Sequence, residues 1–357
     1  MIRDAHSRRN LCNLNLLREA SPTAIIIPVY NTYEELQECI ASVQKHTNLA
    51  ENRLIIIDDA STDERVREFL EGLSNIEFIC NERNIGYTET CNKGISLAAP
   101  RDVVLLNSDT IVTPRWLESL RVAAYSASDI GTATALSDNA GAFSVPIPNQ
   151  QNKKPDEIDY PDYGRLMRQF CGGCEIPDVP TGNGFCMFIK RELINQIGDF
   201  DAAAFPRGYG EENDFCMRAL NAGWRNVIAP AAFVFHRRAS SFGAEKERLL
   251  AAGMKIIKKR HPDYIQRVRD AFSSMSMQNL QKAAQHAAIA AGARAIETRV
   301  GIVKRAGSPS IIAGDGITRR VFMLLEGDRI SLPQNDATLT DESILVPVTQ
   351  DVGQELA

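Results

Sequence analysis

The chain has 357 residues, a formal net charge of −5, and 44% hydrophobic and 24% charged residues. This is the composition of a soluble globular protein with one large domain or two ordinary ones. The acidic balance argues against a nucleic-acid binder with a basic surface. No apolar run approaches the roughly 20 residues that span a bilayer. The first twenty residues lack the apolar core and cleavage site of a signal peptide, so we predict a cytoplasmic protein.

Strand and helix signals alternate along residues 23–110. Apolar runs of strand length are followed by segments with the apolar spacing of a helix. This alternation predicts right-handed crossovers and a mostly parallel sheet with helices on its faces. The predicted strands are 23–29, 53–57, 76–80 and 102–106, and the predicted helices are 33–46, 64–70 and 87–98.

The second half of the chain changes character twice. Residues 137–180 are rich in Pro, Asn, Gln and Gly and predict loop with a short helix near 162–170. Regular elements then return as strand 184–189, helices 191–197 and 211–222, and strand 226–235. Residues 244–300 are rich in Ala, Lys and Arg and predict helix, broken once at His261-Pro262. We therefore divide the chain into an extension (1–22), a main domain (23–243), a helical extension (244–300) and a linker or partial module (301–357).

Eight cysteines are scattered along the sequence. Several lie in apolar patterns, which suits reduced thiols better than a disulfide framework. Cys171 and Cys174 have the spacing of a metal or redox pair. However, neither a second ligand pair nor a thioredoxin-like pattern accompanies them. We interpret them as two free thiols in a loop.

Polar clusters follow four of the predicted strands. They are Pro28-Val-Tyr30-Asn31, Asp58-Asp59, Asn107-Ser108-Asp109 and His236. The carboxyl ends of parallel strands meet at one edge of a sheet, so the first three clusters should converge on a crevice. Such a crevice can hold a nucleotide, with a divalent cation on its phosphates. Taken alone, Asp109 is more typical of a turn or helix cap.

At this point the sequence resembles family 2 glycosyltransferases of the GT-A fold. The resemblance covers about residues 23–240. It implies an α/β fold with a Rossmann-like, mostly parallel sheet flanked by helices, followed by a helical C-terminal extension. The motifs that carry it, in chain order, are IIIPVYN, IIIDDASTD, NERNIGYTETCNKGI, VVLLNSDTIVTPRWLESL, TGNGFCMFIKRELINQIGDFD, GYGEENDFCMRALNAGW and FVFH.

The resemblance also implies an activity. The protein would be an inverting, metal-dependent enzyme that moves a sugar from a UDP-, dTDP- or GDP-linked donor. The acceptor would be a hydroxyl group of a glycan or of a lipid-linked saccharide. The similar enzymes build bacterial O-antigen, capsule and rhamnose-containing surface polysaccharides.

Residue roles follow from the matching motifs. Pro28 and Tyr30 would line the nucleotide pocket, and Asp58 or Asp59 would accept a hydrogen bond from the base. Tyr30 as core packing and the Asp58-Asp59 pair as a helix cap are the structural alternatives. The other donor-binding positions implied are Asn84, Gly86, Asn92, Asn107 and Ser108.

The resemblance implies a metal site and a general base as well. Asp109 and His236 would hold Mn²⁺ or Mg²⁺, with Asn107 in place of the first aspartate of the family's DxD motif. Glu212 would be the general base, with Glu211 as a contender. The acceptor side would include Gly182, Asn183, Gly184, Asp214 and Trp224, although Trp224 also has the pattern of a core residue.

Two other functions remain open from the sequence. A nucleotidyltransferase would need a glycine-rich, basic loop after the first strand, which Pro28-Val-Tyr-Asn-Thr-Tyr-Glu does not provide. A catalytically degenerate glycan- or nucleotide-binding module is compatible with Asn107 and Glu212. In the helical extension, Lys255, Lys258, Lys259 and Arg260 suit either an anionic membrane surface or a solvated face. Self-association or fusion to another module are further interpretations of the C-terminal region.

Overall fold

The computed structural model describes residues 22–74, 76–237 and 243–300, and three short strands at 324–326, 329–331 and 346–347. It divides into two compact units, residues 1–153 with 160–287, and residues 154–159 with 288–357. The border between 243 and 244 that the sequence suggested falls inside the first unit. In the second unit, β10 (Leu324–Glu326), β11 (Arg329–Ser331) and β12 (Val346–Pro347) form an antiparallel sheet.

The first unit is built on a nine-stranded sheet in the order β3-β2-β1-β4-β8-β6-β9-β5, with β7 also paired to β9. Strands β1, β2, β3, β4, β6 and β9 run in one direction, and β5, β7 and β8 oppose them. The strands are β1 (Thr23–Val29), β2 (Arg53–Asp58), β3 (Glu77–Cys80), β4 (Asp102–Leu106), β5 (Thr110–Val112), β6 (Ile130–Leu136), β7 (Asp178–Val179), β8 (Cys186–Ile189) and β9 (Arg225–His236).

The strand directions decide where the polar clusters lie. Val29, Asp58 and Leu106 end parallel strands, so the residues after them share one edge of the sheet. β9 runs the same way and ends at His236, and β5 is registered against it with Thr110 opposite His236. The prediction of a mostly parallel α/β sheet with convergent strand ends is confirmed.

Ten α-helices lie in the described part of the chain. They are α1 (Tyr33–His46), α2 (Glu64–Glu71), α3 (Tyr87–Leu97), α4 (Trp116–Ala124), α5 (Tyr160–Cys171), α6 (Arg191–Ile197), α7 (Glu211–Asn221), α8 (Gly243–Arg260), α9 (Tyr264–Phe272) and α10 (Met275–Val300). In α1 the apolar positions that predicted the helix, among them Leu36, Ile40 and Val43, are buried against the sheet. The same periodicity placed the other predicted helix ends within about two residues.

The sequence did not predict β5, α4 and β6. β6 is a fully buried run of Ile, Gly, Thr, Ala and Leu in which small residues predominate, so it lacks the succession of Val, Ile and aromatic residues that usually marks a strand. α4 begins after Arg115, which has a φ of 66° and provides no side-chain cap. The usual signals of a strand and of a helix start are therefore missing here.

The helical extension has a second break that the sequence prediction missed. α9 ends at Phe272, and Ser274 accepts a hydrogen bond at 3.3 Å from the backbone amide of Met277. A serine in this position caps a new helix, so α10 starts separately. The prediction of one break, at His261-Pro262, was therefore wrong.

α8 and α9 pack against the main sheet domain. Ile257 and Tyr264 form a buried cluster with Phe205 and Met217. In this way the first part of the predicted appendage shares a core with the domain that carries the strand-end clusters. Across the described residues, no helix combines the length and apolar character that crossing a bilayer requires.

Candidate active site

A pocket with a volume of about 410 Å³ opens at the carboxyl edge of the sheet. Its volume lies within the range of small-molecule sites. Loops after β1, β2 and β4 form one part of its wall, and the start of α7 and one side of α8 form another. Of the predicted site residues, Pro28, Tyr30, Asp59, Asn84, Gly86, Asn107, Asn183, Gly184, Glu211 and Glu212 line it.

Tyr30 lies at the pocket surface. Its side chain is 38% exposed, which rules out core packing as its role. The backbone amide of Asn31 donates to Ser61 Oγ at 2.8 Å, and this bond ties the loop after β1 to the loop after β2. Two joined loops therefore hold Tyr30 at the pocket.

Asp58 and Asp59 have different roles, although both are buried. Asp58 accepts hydrogen bonds from Ser61 and does not line the pocket. Asp59 lines the pocket and accepts hydrogen bonds from the backbone amides of Ile85 at 2.8 Å and Gly86 at 2.9 Å. It also accepts one from Asn81 Nδ2 at 2.9 Å. A carboxylate has about four acceptor positions, so Asp59 keeps capacity for one ligand donor.

Gly86 and Asn92 shape the pocket through backbone contacts. Gly86 has a φ of 92°, and a Cβ atom there would lie 2.2 Å from the carbonyl oxygen of Pro206. Only glycine allows this approach. Asn92 does not line the pocket. Its amide group donates to the carbonyl of Phe200 at 2.8 Å and accepts from the amide of Phe200 at 3.1 Å, so it holds the loop that leads to α7.

The Asn107-Ser108-Asp109 triplet divides between three environments. Asn107 lines the pocket and accepts a hydrogen bond from Tyr87 Oη at 3.2 Å. Ser108 is buried, and its Oγ atom lies 3.0 Å from Thr32 Oγ1. Asp109 Oδ1 lies 3.3 Å from His236 Nε2. Asp109 and His236 adjoin the pocket through Phe185, whose ring lines the pocket and stacks on His236 at 5.3 Å.

The Asp109–His236 pair has donor groups that fit a divalent cation. His236 Nδ1 lies 3.1 Å from the carbonyl oxygen of Asn139, which can only accept, so Nδ1 carries the proton. In the neutral imidazole, the lone pair of Nε2 then faces the carboxylate. A backbone carbonyl on the remote nitrogen is the arrangement that orients histidine ligands of metals. The described residues contain no group of three or more His, Cys, Asp or Glu side chains that could hold a metal ion.

Glu211 and Glu212 open α7 at the pocket. Burial, and next the charge of Glu212, raise the pKa of Glu211 well above its ordinary value. Burial also raises the pKa of Glu212, although hydrogen bonds from the backbone and from Glu211 oppose that shift. Glu212 Oε2 is buried and has no hydrogen-bond partner among the described residues. Burial therefore favours the protonated form of both carboxyl groups, and it does so more strongly for Glu211.

Three predicted acceptor-side residues do not line the pocket. Trp224 is 9% exposed, packs in the core beside Leu193, and donates from Nε1 to Gln196 Oε1 at 2.7 Å. Gly182 is packed against Met187, where a Cβ atom would lie 2.4 Å from Sδ. Asp214 is 1% exposed and bonds to Arg218, Arg260 and His261. The sequence pattern of Trp224 had left a core position open as the structural alternative.

The pocket also contains residues that the sequence did not single out. Tyr87, Arg207, Gly208 and Tyr209 line it, and α8 adds Leu249, Leu250, Met254 and Ile257. Gly208 and Tyr209 have φ values of 84° and 65°, so the loop before α7 is strongly bent. The glycines of the GYGEEND motif were the available signal for this bend. The spacing of Leu249, Leu250 and Ile257 predicts only an apolar helix face.

About half of the chain matches a known family. Residues 24–198 match the model described as glycosyl transferase family 2. The chain contains a family 2 glycosyltransferase domain. This confirms the resemblance inferred from the strand-end motifs.

Relatives and solved structures agree with this assignment. An N-acetylglucosaminyl-diphospho-decaprenol L-rhamnosyltransferase of Mycobacterium tuberculosis is 23% identical over 263 residues, covering 64% of this chain and 80% of the relative. Glycosyltransferase AglE of Haloferax volcanii is 28% identical over 210 residues, which cover 58% of this chain and 64% of the relative. A structure of GalNAc-T7 with UDP, GalNAc and Mn²⁺ superposes with a TM-score of 0.50 at 17% identity, covering 76% of this chain and 55% of that one. The fold is that of the GT-A glycosyltransferases.

The raised pKa values of the glutamate pair predict a pH-dependent stability. A carboxyl group with a raised pKa binds more protons in the folded than in the unfolded state, so the free energy of unfolding falls as pH rises above about 4.5. Glu211→Gln removes the main contributor. We expect its stability relative to wild type to increase as pH rises above about 4.5 in urea unfolding experiments. The exposed Glu68→Gln serves as control, and parallel curves for Glu211→Gln and wild type would contradict the prediction.

Proposed function

We propose that the protein is an inverting, metal-dependent glycosyltransferase that moves a sugar from a nucleotide-sugar donor to an acceptor hydroxyl group. The observation that carries the proposal is that one pocket joins the strand-end residues Tyr30 and Asp59 to the buried carboxylate of Glu212. The family 2 domain supports it. Burial raises the pKa of both carboxyl groups of the Glu211-Glu212 pair. Groups with pKa values perturbed in this way are typical of catalytic sites, which favours an enzyme over a degenerate binding module.

The donor nucleotide is assigned to the strand-end side of the pocket. Tyr30 offers a ring for stacking on the base, and Asp59 offers its remaining acceptor position to a base or ribose donor. Arg207 is exposed at the pocket wall, where its guanidinium can pair with a donor phosphate. With the nucleotide bound in this way, the sugar would lie between the phosphates and α7.

Glu212 is the proposed general base. Its carboxylate takes the proton of the acceptor hydroxyl group as the oxygen attacks the anomeric carbon from the side opposite the leaving nucleotide. The new glycosidic bond forms as the bond to the diphosphate oxygen breaks, so one displacement inverts the anomeric configuration. The pKa of Glu211 is raised further than that of Glu212, so we assign the protonated form to Glu211 and the role of the base to Glu212.

Asp109 and His236 are the proposed protein ligands of a divalent cation. A carboxylate oxygen and an imidazole nitrogen suit Mn²⁺, and Mn²⁺ is present with UDP in the GalNAc-T7 structure. When bound, the cation would stabilise negative charge on the leaving diphosphate. Asn107 leaves Asp109 as the only carboxylate of its triplet, which lowers the negative charge beside the diphosphate.

The acceptor is assigned to the side of the pocket that α8 forms. Leu249, Leu250, Met254 and Ile257 give that side an apolar surface. Apolar area suits a saccharide attached to a lipid, and the rhamnosyltransferase relative is named for a decaprenol-linked substrate. We therefore place the enzyme in the synthesis of bacterial surface polysaccharide, with a glycan or lipid-linked acceptor.

Membrane contact and assembly stay predictions. Lys255, Lys258 and Lys259 of α8 are exposed, as contact with an anionic surface requires, whereas Arg260 bonds to Asp201 and Asp214. Liposome co-sedimentation of wild type and a Lys258→Glu/Lys259→Glu variant tests this contact, and equal sedimentation would contradict it.

The metal ligands can be tested by substituting Asp109. Wild type should release nucleotide from a set of UDP-, dTDP- and GDP-sugars only when Mn²⁺ or Mg²⁺ is added. Asp109→Ala should lower that turnover by about 100-fold or more, because charge stabilisation by a metal contributes several kcal/mol. Calorimetric titration of the donor with and without Mn²⁺ gives a second measurement. Mn²⁺ should raise the donor affinity of wild type but not that of Asp109→Ala. Asp129→Ala, at the opposite edge of the sheet, is the control, and near-normal turnover of Asp109→Ala would exclude the assignment.

The base can be tested by isosteric substitution of each glutamate. Glu212→Gln should lower kcat by about 10²- to 10⁴-fold and leave donor affinity unchanged, since the amide cannot accept the proton. Glu211→Gln should cost much less. Both variants are measured in the same transfer assay with donor titration. A normal kcat for Glu212→Gln with a large loss for Glu211→Gln would transfer the role to Glu211.

The apolar acceptor side predicts a preference among acceptors. Leu250→Glu should lower kcat/KM for an acceptor saccharide with an alkyl chain by about tenfold, because it removes apolar contact area. The kcat/KM for the same saccharide without the chain should hardly change. Ala252→Glu adds the same charge at an exposed position of α8 outside the pocket. Equal effects on both acceptors would show that the α8 side does not contact the chain.

A further inference from the structure

The first turn of α7 lacks the usual support at its start. Gly210 precedes the helix with a φ of 143° and makes no side-chain cap. Glu211, Glu212 and Asp214 all lie in this turn. Acidic residues are favoured near a helix start, but three in one turn also repel each other. The geometry of Glu212 therefore depends on groups outside α7.

α8 crosses the loop before α7 at very short distance. A Cβ atom at Gly253 would lie 1.9 Å from the carbonyl oxygen of Tyr209. Gly253 Cα also lies 3.5 Å from the Cβ position of Gly210. The backbone of α8 is therefore in direct contact with the backbone of the two residues that precede Glu211. No side chain can separate them.

The end of α8 binds the other side of the same turn. His261 Nε2 lies 3.0 Å from Asp214 Oδ1, and Arg260 donates to the same oxygen at 3.2 Å. Arg218 binds the second oxygen, Oδ2, at 2.9 Å. In the same turn, Asn213, which precedes Asp214, donates to the hydroxyl of Tyr264 at the start of α9. Burial would raise the pKa of Asp214, but the hydrogen bonds from His261, Arg218 and Arg260 outweigh it and lower that pKa.

We infer that Arg260 and His261 are positioning residues for catalysis, which act by holding Asp214 and so fixing the turn that presents Glu212. The inference rests on the proposed function for its catalytic part. The contacts bracket the two glutamates, with Gly253 on the loop before them and His261 and Tyr264 on the residues after them. We call these contacts of Gly253, Arg260, His261 and Tyr264 the clasp. A shift of about 1 Å in a reacting group can lower the rate by about 100-fold, so weakening the clasp should lower kcat more than it lowers the affinity for the donor.

The decisive variants are His261→Ala and His261→Gln. His261→Ala should lower kcat by about tenfold with unchanged KM for the donor, because the donor residues Tyr30 and Asp59 lie on other elements. In His261→Gln the side-chain amide can donate to Asp214, so most of the activity should return. His286→Ala, at an exposed position of α10, is the matched control. A kcat for His261→Ala equal to that of His286→Ala, or an equal loss in both His261 variants, would overturn the inference.

Hydrogen–deuterium exchange tests the clasp without any turnover. The amide of Asp214 donates to the carbonyl of Gly210 at 2.9 Å, so it reports on the first turn of α7. Peptides that cover 208–215 should exchange faster in His261→Ala than in wild type, and peptides from β1 and β2 should not. Unchanged exchange at 208–215 would reject the clasp even if no donor is turned over. Absence of turnover in wild type, with the exchange result as expected, would reject the proposed function alone.

A variant that does not fold still leaves a test. If His261→Ala fails to fold, Asp214→Asn takes its place, since asparagine keeps the shape and loses the charge that binds His261 and Arg260. The expected result is a lowered kcat with unchanged donor KM and faster exchange at 208–215. Wild-type values for both measurements would overturn the inference.

Discussion

The burial of two neighbouring carboxyl groups at the start of α7 is the constraint on which the candidate site depends. Glu211 and Glu212 are adjacent in sequence, and one carboxylate oxygen of Glu212 is buried with no hydrogen-bond partner among the described residues. A buried charge is costly, so burial raises the pKa of both carboxyl groups and favours their protonated forms. The helix start offsets part of the remaining charge. The arrangement persists because the surrounding elements fix this turn from both sides.

Asp214 shows how the surroundings limit that cost. A third carboxylate in the same turn would raise the repulsion further if it were left unpaired. Arg218, Arg260 and His261 all bind it, so its charge is compensated locally. Arg218 also donates to the carbonyls of Ile197 and Asp199, and these bonds connect the turn to the end of α6. Removing a single partner of a buried charge is more damaging than its net contribution suggests.

The sequence predicted the strand-end side of the pocket better than the side formed by α8. Tyr30, Asp59 and Asn107 follow strands whose order and direction can be inferred from the alternation of strands and helices. Their meeting at one edge is a consequence of parallel topology. Which of Asp58 and Asp59 faces the pocket was not predictable, because it depends on the loop at 81–86 that binds Asp59.

The α8 side could not be predicted for a different reason. Gly253 and Gly210 touch across more than forty residues of sequence, and neither the glycines nor the apolar face of α8 indicates its partner. Asp214 likewise looks like a helix-start residue until Arg260 and His261 are placed beside it. Such contacts depend on how α8 returns over the sheet domain, and local patterns contain no information about that path.

Under the proposed function, a metal site with only two protein ligands has a thermodynamic consequence. Asp109 and His236 supply one carboxylate and one imidazole, and the described residues offer no larger cluster. Cations that act on phosphates are commonly held by one or two carboxylates together with the substrate's own oxygens. The donor would then complete the coordination, so the metal and the donor would each raise the affinity of the other by the same factor. A metal held in this way would bind weakly to the free enzyme and tightly to the complex, and its charge would be present mainly when there is a diphosphate to stabilise.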